Sequence, residues 1–168
     1  VYPEKSLGAV LQQDGMCRFS LWAPHHSKVE LHIAAPEART VPLEAQADGY
    51  HEVTLDRVAP GTQYLYRLEG QKDLPDPASR LQPLGVHGPS EIVDTRFTWS
   101  DESWAGLPLS DYVIYELHVG TFTSEGTFEA VISRLDSLQD LGITAVELMP
   151  VAQFPGSRNW GYDGVYPF

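Results

Sequence analysis

The chain has 168 residues, 42% of them hydrophobic and 11% aromatic, which is enough apolar side chain for a packed core and argues against disorder. Eleven Lys and Arg against 23 Asp and Glu leave a formal charge of −12, a balance that works against nucleic acids and anionic membranes but not against a neutral ligand such as a sugar. The single cysteine, Cys17, excludes an intrachain disulfide and reads as a small buried hydrophobe.

Residues 1–95 read as short strands at sandwich spacing. Phe19 and Leu21 share a face in CRFSLW; Val29, Leu31 and Ile33 share one in KVELHI, with Glu30 and His32 opposite. Val53 and Leu55 do the same in HEVTLD, as do Tyr64, Tyr66 and Leu68 in TQYLYRL. A period of two places alternate side chains on one buried face. Turn signals at Asp14-Gly15, Ala23-Pro24, Asp48-Gly49 and Pro60-Gly61 separate the runs. Two antiparallel sheets packed face to face, an Ig-like sandwich, are expected. Trp22, Tyr64 and Tyr66 offer a conceivable glycan-stacking platform, but their strand positions favour core or interface packing.

From Gln71 to Pro108 the period is lost in a stretch rich in Pro, Gly, Asp and Ser. It reads as a connection across a domain interface, with 96–108 as the linker proper and one strand in EIVDTRFTW. From Leu109 the texture changes again. YVIYELHV is a nearly continuous apolar run, as in a strand covered on both faces. Thr127 then offers an N-cap oxygen, and Phe128, Val131, Ile132, Leu135 and Leu138 recur at helical spacing up to a stop at Gly142. A second apolar run, ITAVELMPV, follows. Strand, helix and strand form a right-handed βαβ unit, and two parallel strands with one helix cannot bury both sheet faces. Residues 109–168 are therefore expected to open a larger α/β structure.

No run approaches the ~20 apolar residues of a membrane span. The start VYPEKSLGAV lacks the basic and apolar parts of a secretory leader, so a cytoplasmic protein is expected. There is no glycine loop with a lysine for phosphate, no His/Cys cluster at zinc spacing and no serine in a nucleophile elbow. No metal and no cofactor is expected. His25-His26 follows a proline in a turn and reads as solvated.

YELHVGTFTSEGTF, LGITAVELMPVAQFPG and NWGYDGVYPF together are similar to the start of the catalytic barrel in malto-oligosyltrehalose trehalohydrolases of the α-amylase superfamily. DPASRLQPLGVHGPSEIVD resembles the segment joining their N-terminal sandwich to that barrel, and FSLWAP with KVELHI resembles the sandwich itself. The resemblance implies the first strand, helix and strand of an incomplete (β/α)8 TIM barrel after the sandwich. It also implies a retaining α-glycosidase that releases trehalose from malto-oligosyltrehalose at the adjacent α-1,4 bond, with malto-oligosyltrehalose synthase as pathway partner. Such an enzyme needs two carboxyl groups about 5–5.5 Å apart. In the superfamily these follow later barrel strands, so the resemblance assigns no catalytic residue here and the isolated chain is expected to be inactive.

The resemblance does assign substrate-binding candidates. Tyr162 lies in the loop after the second strand, where relatives stack a tyrosine on the sugar beside the cleaved bond; capping the barrel mouth is the alternative. Asp163 either hydrogen-bonds sugar or holds the loop by an Asx-turn, Trp160 reads more as packing, and His118 ends the first strand as a supporting residue or a structural histidine. Glu116 and Glu147 lie on adjacent strands and mimic a catalytic pair, but neither ends its strand, so hydrogen bonding inside the barrel is expected. A glycogen-branching enzyme, which typically has YEVHLGSW and a glutamine after the loop's Gly-Tyr, is the runner-up and a debranching enzyme a weaker one. A free-standing carbohydrate-binding or interaction module is the reading from a different class.

Overall fold

The computed structural model describes residues 6–168. Residues 1–5, half of the segment read for a leader, lie outside it. The described residues divide into two compact units. One runs up to Thr95 and includes Gln153–Pro155 and Val165–Phe168; the other comprises Arg96–Ala152 and Gly156–Gly164.

In the first unit, β1 (Gly8–Leu11), β2 (Cys17–Trp22), β5 (Glu44–Ala45) and β6 (Tyr50–Leu55) form an antiparallel sheet in the order β1-β2-β6-β5. The second sheet runs β4 (Arg39–Pro42), β3 (Val29–Ala35), β7 (Gln63–Leu68) and β8 (Asp73–Leu74), with β9 (Ser90–Glu91) also paired to β7. The register explains the shared core. Phe19 opposes Val53 in the first sheet, while Leu31 opposes Tyr66 and Ile33 opposes Tyr64 in the second. Cys17, Phe19, Leu21, Val29, Leu31, Ile33, Tyr64 and Tyr66 meet in one hydrophobic cluster. Phe19 and Tyr64 contact edge to face at 5.1 Å, and Tyr64 and Tyr66 at 5.9 Å. Cys17 is fully buried, and burial pushes its thiol up to about 11.

Residues 71–95 are not a bare connection. They belong to this unit, fastened by a carboxylate with no exposed surface. Asp76 Oδ2 accepts the Tyr64 hydroxyl at 2.7 Å and Oδ1 accepts the Ala78 amide at 2.8 Å, while the Asp76 amide donates to Ser90 Oγ at 3.0 Å. Side-chain satisfaction of this kind orders a segment that has no period. Of the strand expected in EIVDTRFTW, only Ser90–Glu91 at its margin pairs.

In the second unit, β10 (Ile114–Leu117) pairs in parallel with β11 (Ala145–Leu148) and, among the described residues, with no other strand. Residues 96–108 fall in this unit. The expected single helix is broken into α2 (Phe128–Ile132) and α3 (Leu135–Asp140), after a short turn of helix α1 (Val119–Phe122). Thr127 caps α2 as read, its Oγ1 accepting the Ala130 amide at 3.2 Å. At the break Ser133 Oγ donates to the Ala130 carbonyl at 2.7 Å, and the Arg134 amide, at φ −106° and ψ −4°, closes a tighter turn onto the Val131 carbonyl at 2.9 Å. The run YVIYELHV is not covered on both faces here: Val113 and Ile114 are at least half exposed, because a two-stranded sheet has no neighbours to cover it. A groove of about 420 Å3 lies along α3 and the start of β11, lined by Leu107, Leu135, Leu138, Ile143, Ala145 and Val146 among others.

Candidate functional site

The loop that follows β11 is built on two close backbone approaches. Gly161 sits at φ +102°, and a Cβ there would lie 2.7 Å from both Cδ and O of Pro150. A Cβ on Gly164 would lie 2.9 Å from that of Ala152. Both glycines of Trp160-Gly161-Tyr162-Asp163-Gly164 are thus required for the loop to fold back over Pro150-Val151-Ala152.

Asn159 holds the loop from within. Its Oδ1 accepts the Gly161 amide at 2.8 Å and the Asp163 amide at 3.4 Å, and its backbone carbonyl accepts His118 Nε2–H at 2.6 Å. The tautomer follows, since a carbonyl oxygen only accepts. The His118 ring, at the end of β10, also meets the Trp160 ring edge to face at 5.8 Å. A side chain at position 120 would crowd it, with a Cβ 3.1 Å from His118 Cε1. His118 Nδ1 and Asn159 Nδ2 are buried with no hydrogen-bond partner among the described residues.

His118 and Trp160 are therefore brought together, with Trp160 still 67% exposed. Tyr162 stands at the loop tip, 76% exposed, and Asp163 is exposed beside it. The Asx-turn entertained for Asp163 is made by Asn159 instead: Asp163 contributes its amide, not its carboxylate. Sequence reading missed Asn159, although an Asn two residues before a glycine is a usable Asx signal. Glu116 and Glu147 are direct register partners across β10 and β11, and both are exposed. Trp22 is likewise not core: it is 57% exposed, while Tyr64 and Tyr66 are buried, so the three form no common platform.

The loop thus presents aromatic surface and hydrogen-bonding groups, suited to holding a sugar ring and not to acid–base chemistry on its own. Among the described residues no three His, Cys, Asp or Glu converge as metal ligands. No helix of the described residues is long and apolar enough to cross a membrane.

Residues 6–87 match carbohydrate-binding module 48, the isoamylase N-terminal domain. Malto-oligosyltrehalose trehalohydrolase of Saccharolobus solfataricus is 52% identical over 161 residues, covering 96% of this chain and 28% of that protein. A 1,4-alpha-glucan branching enzyme of Xanthomonas oryzae is 33% identical over 184 residues, covering 94% and 25%. A crystal structure of a putative alpha amylase from Salmonella typhimurium superposes with a TM-score of 0.87 at 45% identity, covering 96% of this chain and 27% of that one. The chain spans about a quarter of the length of the curated relatives it matches.

Proposed function

From the premise that this chain groups by sequence with the malto-oligosyltrehalose trehalohydrolases, glycoside hydrolases of the α-amylase type, we propose that it is the N-terminal part of an enzyme releasing trehalose from malto-oligosyltrehalose. In this reading residues 1–95 are the sandwich, 96–108 the linker, and 109–168 the first strand, helix and strand of a (β/α)8 barrel. The parallel pairing of β10 with β11 supports it, since parallel strands with an intervening helical connection are the unit from which such barrels are made. The loop after β11 then lies on the barrel face that carries active sites, and Tyr162 is the sugar-contacting ring. Asp163 supplies a hydrogen-bonding group, and His118 and Trp160 support the loop. The single observation that carries the proposal is the 52% identity to the trehalohydrolase, which extends over both units.

The reacting carboxylates belong to polypeptide beyond these residues. What the chain contributes is orientation: an aromatic face fixed before the glucan arrives costs less ordering on binding than a mobile one. A cytoplasmic location, with substrate supplied by malto-oligosyltrehalose synthase, completes the reading. The branching-enzyme relative is the second reading, and its lower identity ranks it below. The test is a chimaera in which residues 1–168 replace the corresponding segment of the Saccharolobus solfataricus enzyme. Trehalose release from maltotriosyltrehalose is expected, and none from the 168-residue chain alone. Formation of α-1,6 branches in place of trehalose, or turnover by the isolated chain, overturns the proposal.

A further inference from the structure

We propose that Asn159 is a positioning residue for the trehalose-releasing reaction, setting the direction of Tyr162 through its side chain, and that His118 serves the same end by holding Asn159. The inference rests on the reading of Tyr162 as the sugar-contacting ring and extends it to the groups that aim that ring.

The Tyr162 ring is 76% exposed. Packing therefore fixes little of it, and its direction is inherited from the backbone on either side. Asn159 reaches both sides. Its Oδ1 accepts the Gly161 amide at 2.8 Å and, more loosely, the Asp163 amide at 3.4 Å. One oxygen thus ties the residue before Tyr162 and the residue after it to a single point, which orients the peptide planes between them. A ring presented in one direction before the sugar arrives has less freedom to lose on contact.

Asn159 is held in turn from the end of β10. Its carbonyl accepts Nε2–H of His118 at 2.6 Å, and the ring of the next residue, Trp160, meets the same imidazole edge to face. The link needs a proton on Nε2, because the carbonyl has none to give. On its other side the imidazole faces Gly120, where a Cβ would stand 3.4 Å from Nδ1. All of these groups belong to one compact unit.

Stability alone does not call for either side chain. His118 Nδ1 and Asn159 Nδ2 are buried with no hydrogen-bond partner among the described residues, a desolvation cost that an apolar side chain of similar shape would not carry. What the two residues supply is geometry, and that geometry converges on Tyr162. Because Asn159 Nδ2 makes no bond, an aspartate in its place would reproduce each contact the side chain makes.

The kinetic test uses the chimaera of residues 1–168 with the Saccharolobus solfataricus enzyme. Asn159→Leu, close in shape but without the accepting oxygen, is expected to lower kcat/KM for maltotriosyltrehalose about tenfold or more, and Asn159→Asp to recover most of that loss. Placed on Tyr162→Ala, Asn159→Leu should cost less than about twofold more, since a residue acting only through the ring has nothing left to aim. His118→Gln, whose amide can still donate to the Asn159 carbonyl, should retain more activity than His118→Leu. In NMR spectra of the 168-residue chain, Asn159→Leu should shift the Gly161 and Asp163 amide protons upfield and loosen the Tyr162 backbone, with Asn159→Asp restoring both. Should Asn159→Leu fail to fold, Asn159→Ser, too short to reach both amides, takes its place. Equal losses in Asn159→Asp and Asn159→Leu, a full further loss on the Tyr162→Ala background, His118→Gln no better than His118→Leu, or unmoved Gly161 and Asp163 amides overturns the proposal. A parent chimaera that releases no trehalose overturns the proposed function instead, and the amide signals of the 168-residue chain still decide whether Asn159 orients the loop.

Discussion

Tyr64 and Tyr66 lie two residues apart on β7, on the same face and in the same core, yet deleting their hydroxyls is expected to have opposite consequences. The Tyr64 hydroxyl donates at 2.7 Å to Asp76, whose carboxylate has no exposed surface. Tyr64→Phe keeps the ring against Phe19 and Tyr66 but leaves Asp76 Oδ2 without its donor. A hydrogen bond to a charged group contributes about 1.5–3 kcal/mol, and the stranded acceptor adds its desolvation, so a loss of about 2–3 kcal/mol is expected. For a unit of this size that lowers the melting temperature by roughly 10 °C or more. The Tyr66 hydroxyl is buried with no hydrogen-bond partner among the described residues. Tyr66→Phe removes an unsatisfied polar atom and is expected to be neutral or to gain up to about 1 kcal/mol. Thermal and urea unfolding followed by near-ultraviolet circular dichroism at pH 7 read both variants. Equal losses, or a larger loss in Tyr66→Phe, would refute the assignment of Asp76 as the fastening point of residues 71–95.

Asp76 also carries a pH signature: burial raises its carboxyl, with the Tyr64 hydroxyl and the Ala78 amide pulling the other way. The native state then keeps the proton where the unfolded chain has lost it, so stability falls as pH rises from about 3.9 through the raised native value. Asp76→Asn should flatten that part of the melting profile; an unchanged profile contradicts it. Asp73 has the opposite sign, held low first by its hydrogen bond to Arg67, at 2.7 and 3.0 Å, and further by His32. Its contribution is complete above the unfolded carboxyl value and is lost as pH falls through the lower native one. Asp73→Asn should therefore be less stable than the parent at neutral pH and converge with it in acid, as melting curves from pH 2 to 7 will read. The Cys17 thiol, buried and pushed up to about 11, should react with a disulfide reagent at pH 8 only as fast as the protein unfolds; rapid labelling of the native chain would count against its burial. Gly161→Ala, at φ +102° and against Pro150, should cost about 1–3 kcal/mol and displace the amide signals of Gly161 and Asp163, and a variant with the parent's urea midpoint would show the loop to be laxer than described.

Period two made the sandwich legible, because inward positions such as Phe19, Leu31 and Tyr66 recur without exception along their strands. The glycines of the loop were visible, and their neighbours were not: nothing in the chain's order says that Gly161 must pass within touching distance of Pro150. Asn159 was overlooked because the aromatic and acidic residues beside it drew attention, although the backbone amides it accepts are what shape the loop. Residues 71–95 looked formless because their order comes from one buried carboxylate and a few hydroxyls, a signal without a period. The helix was read through Ser133, since apolar spacing takes no account of a hydroxyl that competes for its own backbone. Trp22 was assigned to core or interface packing by its company, when its place in the alternation puts it outside the core.

Cys17 lies sealed between the two sheets, and the chain has no second thiol. A cysteine introduced in place of Tyr162 would thus be the one thiol that a spin label or fluorophore could reach, with the native protein left otherwise untouched. Distances and motions of the loop tip can be measured on a background that is already silent.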